Sequence, residues 1–200
     1  MFQLNFLIGI WKIMSCPFLY KVKNRLLLII ALAGVLQAEH SFGQSREALI
    51  KAGFIEKFTH FVQWPDEAVS NDSSGSFVIS VIGENTFGST LEELFSKVEI
   101  NNKQVEVEFI SSAENIGQSM ILFVSGSERR NLNEILNYTS GKPILTISDS
   151  EGFGEKGVLI NMFTEGDYIR YEVNQRALNK SGLKVSSLLL NYAVIIKSDV

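Results

Sequence analysis

Small polar residues follow three of the apolar segments that the sequence predicts to be strands. They are Gly83-Glu84-Asn85 after the first segment, Ser125-Gly126-Ser127 after the second and Ser148-Asp149-Ser150 after the third. Ligands of open α/β sheets usually bind in the crevice beyond the carboxyl ends of the parallel strands. The pattern therefore predicts a ligand site that includes Gly83, Ser148 and Asp149, although ordinary strand-to-helix turns use the same residue types.

Three further residues could complete this site. Phe153 stands between Gly152 and Gly154, a pattern that favours a shaped loop presenting one aromatic ring to a pocket or to a partner. Arg170 is a polar residue within the apolar segment Tyr168–Val173, and Asn174 directly follows that segment. They could bind a carboxylate or an amide ligand, or they could simply cap the last helix.

The residue sets of common enzyme mechanisms are incomplete. The segment Gly83–Thr90 has the glycine spacing of a phosphate-binding loop, but Ser89 stands where that motif needs Lys. His60 is the single imidazole after residue 43, and no Gly-x-Ser-x-Gly elbow accompanies it. One Cys and two His do not suffice for the common zinc sites. We predict that the protein is not an enzyme and that it binds no cofactor or metal ion. A hydrolase that uses His60 as its base is the third hypothesis.

Apolar residues at helical spacing predict a helix over Arg46–Gln63, which Trp64-Pro65 ends because Pro disfavours the helical conformation in the residue before it. Its aromatic stripe of Phe54, Phe58 and Phe61 is typical of a helix face that packs on a core. The indole N–H of Trp64 is expected near the surface, at the helix end. Trp64 is therefore the predicted contact for a protein partner.

Strand-like and helix-like segments alternate through residue 147. The predicted strands are Phe77–Ile82, Val105–Phe109, Met120–Val124 and Ile144–Ile147, and the predicted helices between them are Ser89–Lys97 and Ser127–Tyr138. A hairpin of Val158–Phe163 and Tyr168–Val173 follows, and then a helical region from Asn174 to Lys197 that Ser181-Gly182 interrupts. We predict an α/β fold, a single domain with a mixed, mostly parallel sheet flanked by helices, a β-hairpin and a C-terminal helix.

Residues 1–43 have the order of a secretory signal peptide. Lys21, Lys23 and Arg25 precede the apolar run Leu26–Leu36, which is too short for the about 20 residues that cross a bilayer. We predict cleavage before Gln44, and cleavage near Ala38 or an uncleaved anchor are the alternatives. Separately, translation could start at Met14 instead of Met1. Cleavage would remove Cys16 with four of 18 basic and one of 22 acidic residues, leaving residues 44–200 with a net charge of -7. This negative charge does not suit nucleic-acid binding, and the sequence has no cluster of basic residues that would bind phosphates.

Five segments in series resemble the YfiR family of exported α/β proteins. They are Phe54–Pro65, Phe77–Gly83 with Phe87-Gly88, Ile121–Val124 with Ser127-Glu128, Ile144–Asp149 with Gly152-Phe153, and Ile169–Asn174 with Gly182-Leu183. The resemblance covers residues 48–196. It implies a periplasmic, non-enzymatic regulator that forms a homodimer and restrains a membrane-bound sensor, above all a diguanylate cyclase in cyclic-di-GMP signalling. The chain lacks the cysteine pairs of the better-characterised relatives, so the resemblance does not carry redox-tuned activity to it.

The resemblance leaves the membrane partner open. A histidine kinase or another membrane sensor is the alternative target that the resemblance allows in place of a cyclase. The second hypothesis is accordingly a small-molecule-binding sensory protein that could act on a histidine kinase. It would use the predicted crevice near Gly83, Ser148, Asp149, Phe153 and Arg170.

Overall fold

The computed structural model describes residues 46–66, 68 and 75–197. The predicted signal peptide over residues 1–43 lies outside the described residues. Within the described residues, none of the helices has the length and apolar character needed to cross a membrane.

The described chain alternates strands and helices, as its sequence predicts. The first helix, α1, covers residues 46–61. The other helices are α2 (Thr90–Phe95), α3 (Leu132–Thr139), α4 (Phe153–Lys156), α5 (Gln175–Ser181) and α6 (Ser187–Asn191), with 3-10 helices at Ala113–Ile116 and Gly126–Arg130. The strands are β1 (Val62–Gln63), β2 (Phe77–Ile82), β3 (Glu99–Ile100), β4 (Lys103–Ile110), β5 (Ile121–Val124), β6 (Leu145–Ser148), β7 (Ile160–Glu165), β8 (Tyr168–Asn174), β9 (Lys184–Val185) and β10 (Val194–Ile196).

Eight strands form one mixed sheet in the order β10-β8-β7-β6-β5-β2-β4-β3. Strands β2, β4, β5, β6 and β7 run parallel, whereas β8 is antiparallel to β7, and β3 is antiparallel to β4. The parallel strands are thus ordered as in the doubly wound fold whose chain reverses its winding direction after the first two strands. This reversal places the carboxyl ends of β2 and β5 beside each other, and the predicted α/β fold is confirmed.

Each face of the sheet carries its own apolar cluster, because successive side chains of a strand point to opposite faces. On one face, α1 buries Ala52, Ile55 and Phe58 against alternate residues of the central strands, such as Ile121 and Phe123. Other residues of the central strands, with α3 and α4, form the second cluster. Its members include Leu122, Val124, Leu132, Ile135 and Phe153. The sheet is therefore covered on both faces, as parallel sheets require.

The segment after β8 differs from the prediction. A helical region interrupted at Ser181-Gly182 was expected from Asn174 to Lys197. The interruption is found, since α5 ends at Ser181 and Gly182 adopts a left-handed backbone with φ of 77°. This conformation is easy for glycine and stops the helix. The β-branched run Val194–Ile196 then forms β10, which pairs in parallel with β8 at the edge of the sheet. The continuation of the helix to Lys197 is therefore wrong, whereas the hairpin of β7 and β8 is confirmed.

Trp64 is a core residue of this fold. Its side chain is 7% exposed, its ring packs edge-on against Phe77 at 5.1 Å between centroids, and its indole N–H donates to the Met120 carbonyl at 3.2 Å. That carbonyl also accepts the Leu145 N–H at 2.9 Å. The expected surface position of the indole is therefore wrong. Because Trp64 is buried, little of its side chain is available for the predicted contact with a partner.

Replacement of Trp64 should destabilise the fold, and more so when more of the buried side chain is removed. We expect Trp64→Ala to lower the free energy of unfolding by about 3–5 kcal/mol because it leaves a large cavity. Trp64→Phe should lose roughly 2 kcal/mol or less, because the ring packing is retained and the Met120 carbonyl keeps the Leu145 N–H. Urea unfolding of the two variants measures both values, and a neutral Trp64→Ala would contradict the buried position.

Candidate functional site

The carboxyl ends of β2 and β5 meet at the point where the winding of the sheet reverses, and the space between them is filled by side chains. Gly83 has φ of 91°, and a Cβ atom there would collide with the Ser127 hydroxyl and the Glu128 side chain. The same hydroxyl accepts the Glu84 N–H at 2.9 Å. Gly83 therefore serves here as the residue that lets two turns approach closely.

Ser148 and Asp149 lie at the same edge, at the end of β6, and both already have partners. The Ser148 hydroxyl is buried, donates to the Val124 carbonyl at 2.7 Å and accepts the Ser150 N–H at 3.2 Å. The Asp149 carboxylate accepts from the Lys51 ammonium of α1 at 2.6 Å. These contacts fasten β6 to β5 and to α1, so the two side chains have structural roles.

Lys51 is the centre of a half-buried charge cluster, with a second carboxylate from Glu47 at 2.5 Å. Burial by itself lowers the pKa of Lys51, but hydrogen bonds and charge from Asp149 and Glu47 outweigh it, so that the pKa lies above the usual 10.5. The ammonium is therefore charged throughout the physiological range. It ties the beginning of α1 to the carboxyl edge of the sheet.

The other three predicted ligand residues lie apart from this edge or are enclosed. Phe153 is fully buried in the second apolar cluster, where the Arg129 guanidinium carbon lies 4.9 Å from the ring centroid. The prediction of a ring presented by its loop is therefore wrong. Arg170 is exposed on β8 and pairs with Glu165. Asn174 caps α5 by accepting the Ala177 N–H at 2.9 Å, and its amide donates to the Gly154 carbonyl at 2.8 Å.

Of the six predicted ligand residues, the structure thus brings Gly83, Ser148 and Asp149 to one edge of the sheet. Asn174 lines a separate cavity of about 310 Å³ beside α3 and α5. Ligand binding by these residues stays a prediction. His60, the candidate base of the hydrolase hypothesis, is on the surface, where its ring nitrogen lies 2.6 Å from a Glu56 oxygen. Its expected surface position is confirmed.

The largest apolar depression that we describe lies on the opposite side of α1, where α1 faces α6. This apolar groove has a volume of about 610 Å³. Its floor is formed by Phe54, Phe58 and Tyr171, and its walls include Ile50, Leu188 and Tyr192. The sequence predicts an aromatic stripe along α1 and assigns it to the core. That assignment holds for Phe58, which is 2% exposed, but Phe54 and Phe61 are partly exposed in the groove.

The floor of the groove is an ordered aromatic cluster. The ring of Tyr171 meets Phe58 edge-on at 5.1 Å and Phe54 at 6.1 Å between centroids. Its hydroxyl donates to the Leu189 carbonyl of α6 at 2.8 Å, which connects the floor to the far wall. Burial, with a smaller contribution from the nearby Tyr192, raises the pKa of Tyr171 above the usual 10.0.

The walls of the groove expose large apolar side chains. Leu188 is 58% exposed and Tyr192 is 77% exposed, and Ile50 on α1 is 41% exposed. A continuous apolar surface of this kind is typical of a ligand or partner site. The sequence offers no direct signal for it, because Leu188 and Tyr192 become neighbours of α1 through the turn after α5.

The ion pair between Lys51 and Asp149 should contribute measurably to stability, because its side chains are 15% and 13% exposed. We expect Lys51→Met and Asp149→Asn each to lower the free energy of unfolding by about 1–2 kcal/mol. The double variant should lose less than the sum, by roughly 1 kcal/mol, in a double-mutant cycle. Strict additivity would show that the two groups do not interact. Lys57→Met, whose side chain is 68% exposed beside Glu56, is the control and should be nearly neutral.

Stability should also fall at alkaline pH in a manner that depends on Tyr171. A folded-state pKa above the unfolded value of 10.0 means that the folded chain holds the hydroxyl proton more tightly. The resulting stability is fully present below about pH 10 and is lost as the pH rises through the folded pKa. Urea unfolding from neutral to alkaline pH should show a shallower decline in Tyr171→Phe, and equal slopes would contradict the assignment.

Comparison with known proteins agrees with the resemblance in the sequence. No curated protein sequence matches the chain. A solved structure described as the ABC domain in complex with L-Trp from Streptococcus pneumonia is similar, with 14% sequence identity and a TM-score of 0.45. That likeness covers 65% of this chain, and this chain spans 59% of the other one, which is too little for an argument about function. The YfiR/HmsC-like family model, by contrast, matches residues 48–194, from the first turns of α1 into β10, and the protein belongs to this family.

Proposed function

We propose that this protein is exported to the periplasm through residues 1–43 and there docks on a membrane-bound sensor, a diguanylate cyclase, and restrains it. The observation that carries the proposal is the family match over residues 48–194, since the family is one of periplasmic regulators. The export-signal pattern of residues 21–43 agrees with it. The protein itself performs no chemistry in this proposal.

A surface suited to docking supports the proposal. Leu188, Tyr192 and Val194 expose apolar side chains in the segment that contains α6 and β10, and we call them the C-terminal apolar surface. Strand β10 is also at the edge of the eight-stranded sheet, and among the described residues no strand pairs with its outer side. Exposed apolar side chains beside an open strand edge are typical of protein-binding surfaces. A partner would bury side chains that water now surrounds.

Restraint requires that the regulator bind one state of the sensor better than the other. A regulator with equal affinity for the active and inactive states shifts nothing, however tightly it binds. A tenfold reduction of activity needs at least a tenfold preference for the inactive state, or about 1.4 kcal/mol. A few apolar side chains that are buried in one state of the sensor alone supply energies of this size.

The proposal includes a homodimer, for which the family resemblance is the support. A histidine kinase as the target is the alternative, and it differs in its output, because a kinase would leave cyclic-di-GMP unchanged. The apolar groove also agrees with a small-molecule-binding role, since its volume of about 610 Å³ is in the ordinary range of ligand sites.

The proposal predicts the direction of a cellular response. Deletion of the gene in its native host should raise cyclic-di-GMP several-fold, and a plasmid copy should restore the original level. The variant Tyr192→Ser with Val194→Thr should fail to restore it, because it removes apolar contacts from the C-terminal apolar surface. Mass spectrometric measurement of cyclic-di-GMP gives the readout, and pull-down of the tagged protein from solubilised membranes should recover a cyclase with an exported sensor region.

A matched control is available in Tyr168, which is 75% exposed at the tip of the β7–β8 hairpin, outside the C-terminal apolar surface. Tyr168→Ser should restore the cyclic-di-GMP level as the unchanged protein does. Unchanged cyclic-di-GMP in the deletion strain would refute the cyclase as target. Recovery of a histidine kinase in the pull-down would then favour the alternative.

A further inference from the structure

The interior of the apolar groove has little capacity for hydrogen bonding. Its floor of Phe54 and Phe58 is hydrocarbon, and the hydroxyl of Tyr171 already donates to the Leu189 carbonyl at 2.8 Å. A ligand that carried amides, hydroxyls or charges into this space would leave them without partners, at a large desolvation cost. The enclosed part of any ligand should therefore be hydrocarbon.

Gly53 gives the groove its depth. It lies inside α1 and lines the groove, and a Cβ atom placed there would have no neighbour within 4 Å. A glycine inside a helix is less stable than alanine by about 1 kcal/mol, and nothing in the packing around this one requires it. The missing side chain instead leaves open space between α1 and α6. The absence of a side chain at Gly53 thus keeps this part of the groove open.

Lys57 supplies the one charge among the described residues that line the groove. It lies one helical turn after Gly53, and its ammonium is exposed and 3.2 Å from a Glu56 carboxylate oxygen. Glu56 also contacts His60, and the hydrogen bonds from His60 and Lys57 lower its pKa despite partial burial. The Lys57 side chain is 68% exposed, so a second anion can approach its ammonium from solvent. An anionic head group is thus favoured over a cationic one.

We propose that the apolar groove binds a free, single-chain anionic amphiphile of the fatty-acid type, with its chain between α1 and α6 over Gly53 and its carboxylate at Lys57. The volume of about 610 Å³ lies in the range of sites that enclose small organic ligands. The chain covers the exposed inner sides of Leu188 and Tyr192. The inference goes beyond the proposed function, because it concerns binding by this protein alone.

The test uses the protein produced from its full-length gene and purified from the export compartment. Fluorescence of dansylaminoundecanoate, kept below its micelle concentration, measures binding, and dodecanoate competes. We expect saturable one-to-one binding that dodecanoate displaces. Shorter fatty acids should compete less well, by up to roughly fourfold for each methylene removed. Absence of saturable binding by the unchanged protein would overturn the proposal.

Two pairs of variants locate the site. Gly53→Leu fills the groove and should weaken binding at least tenfold, whereas Gly53→Ala adds a single methyl group and should bind as the unchanged protein does. Both should be at least as stable in urea, since each replaces a helical glycine. Equal binding by Gly53→Leu and Gly53→Ala would place the ligand elsewhere and contradict the proposal.

Lys57→Glu tests the head group. It should weaken binding of dansylaminoundecanoate three- to tenfold and leave competition by dodecyltrimethylammonium unchanged or improved. Lys156→Glu makes the same charge change on α4, which packs on the opposite face of the sheet, and should have no effect. Equal effects of the two variants would refute the carboxylate position.

Two other occupants give distinct results. Sedimentation with phosphatidylglycerol vesicles without binding of the monomeric probe would indicate a membrane surface and overturn the proposal. Loss of cyclic-di-GMP control in Gly53→Leu, with no probe binding by any form, would indicate a segment of the sensor in the groove. That result would refute the fatty-acid site and leave the regulatory proposal intact.

Discussion

The packing of α1 against one face of the sheet is the interaction on which the rest of the structure depends. Ala52, Ile55 and Phe58 are almost fully buried on the central strands, while Lys51 of the same helix holds Asp149 at the end of β6. The buried stripe fixes how the helix is rotated, and the ion pair fixes where its beginning lies. With both fixed, Gly53 and Lys57 are directed away from the sheet and toward α6.

The two sides of α1 therefore have opposite characters. At the carboxyl edge of the sheet, Lys51 and Asp149 pair with each other, the Ser148 hydroxyl donates to the Val124 carbonyl, and the Ser127 hydroxyl accepts the Glu84 N–H. The side of α1 that faces α6 has few polar groups, and its apolar side chains are only partly covered by the rest of the fold. The crevice where this fold usually binds ligands is thus stabilised by its own side chains, and the exposed apolar area lies elsewhere.

Local patterns predicted the elements of this fold well where neighbours in sequence determine them. The strand Phe77–Ile82 is found with its predicted bounds, and the hairpin forms around Gly166 as expected. The prediction failed for Val194–Ile196, because pairing with β8 depends on residues 22 positions earlier in the chain, which the helical spacing of the segment does not report. The YfiR resemblance rested on the order of five such local patterns, and it held.

The candidate sites show the same limit. Sequence placed Gly83, Ser148 and Asp149 at one edge because strand ends are local. It could not show that Val124 of β5 and Lys51 of α1 bond to Ser148 and Asp149, or that Ser127 packs against Gly83. It found the aromatic stripe of α1 but not the gap beside it. That gap exists because Gly182 turns the chain after α5, so that α6 returns as a short helix whose Leu189 is buried while Leu188 and Tyr192 stay exposed. A single longer helix would not have returned Leu188 and Tyr192 in this way. The sequence predicted the interruption at Ser181-Gly182, but not that the chain beyond it folds back beside α1 and leaves a groove.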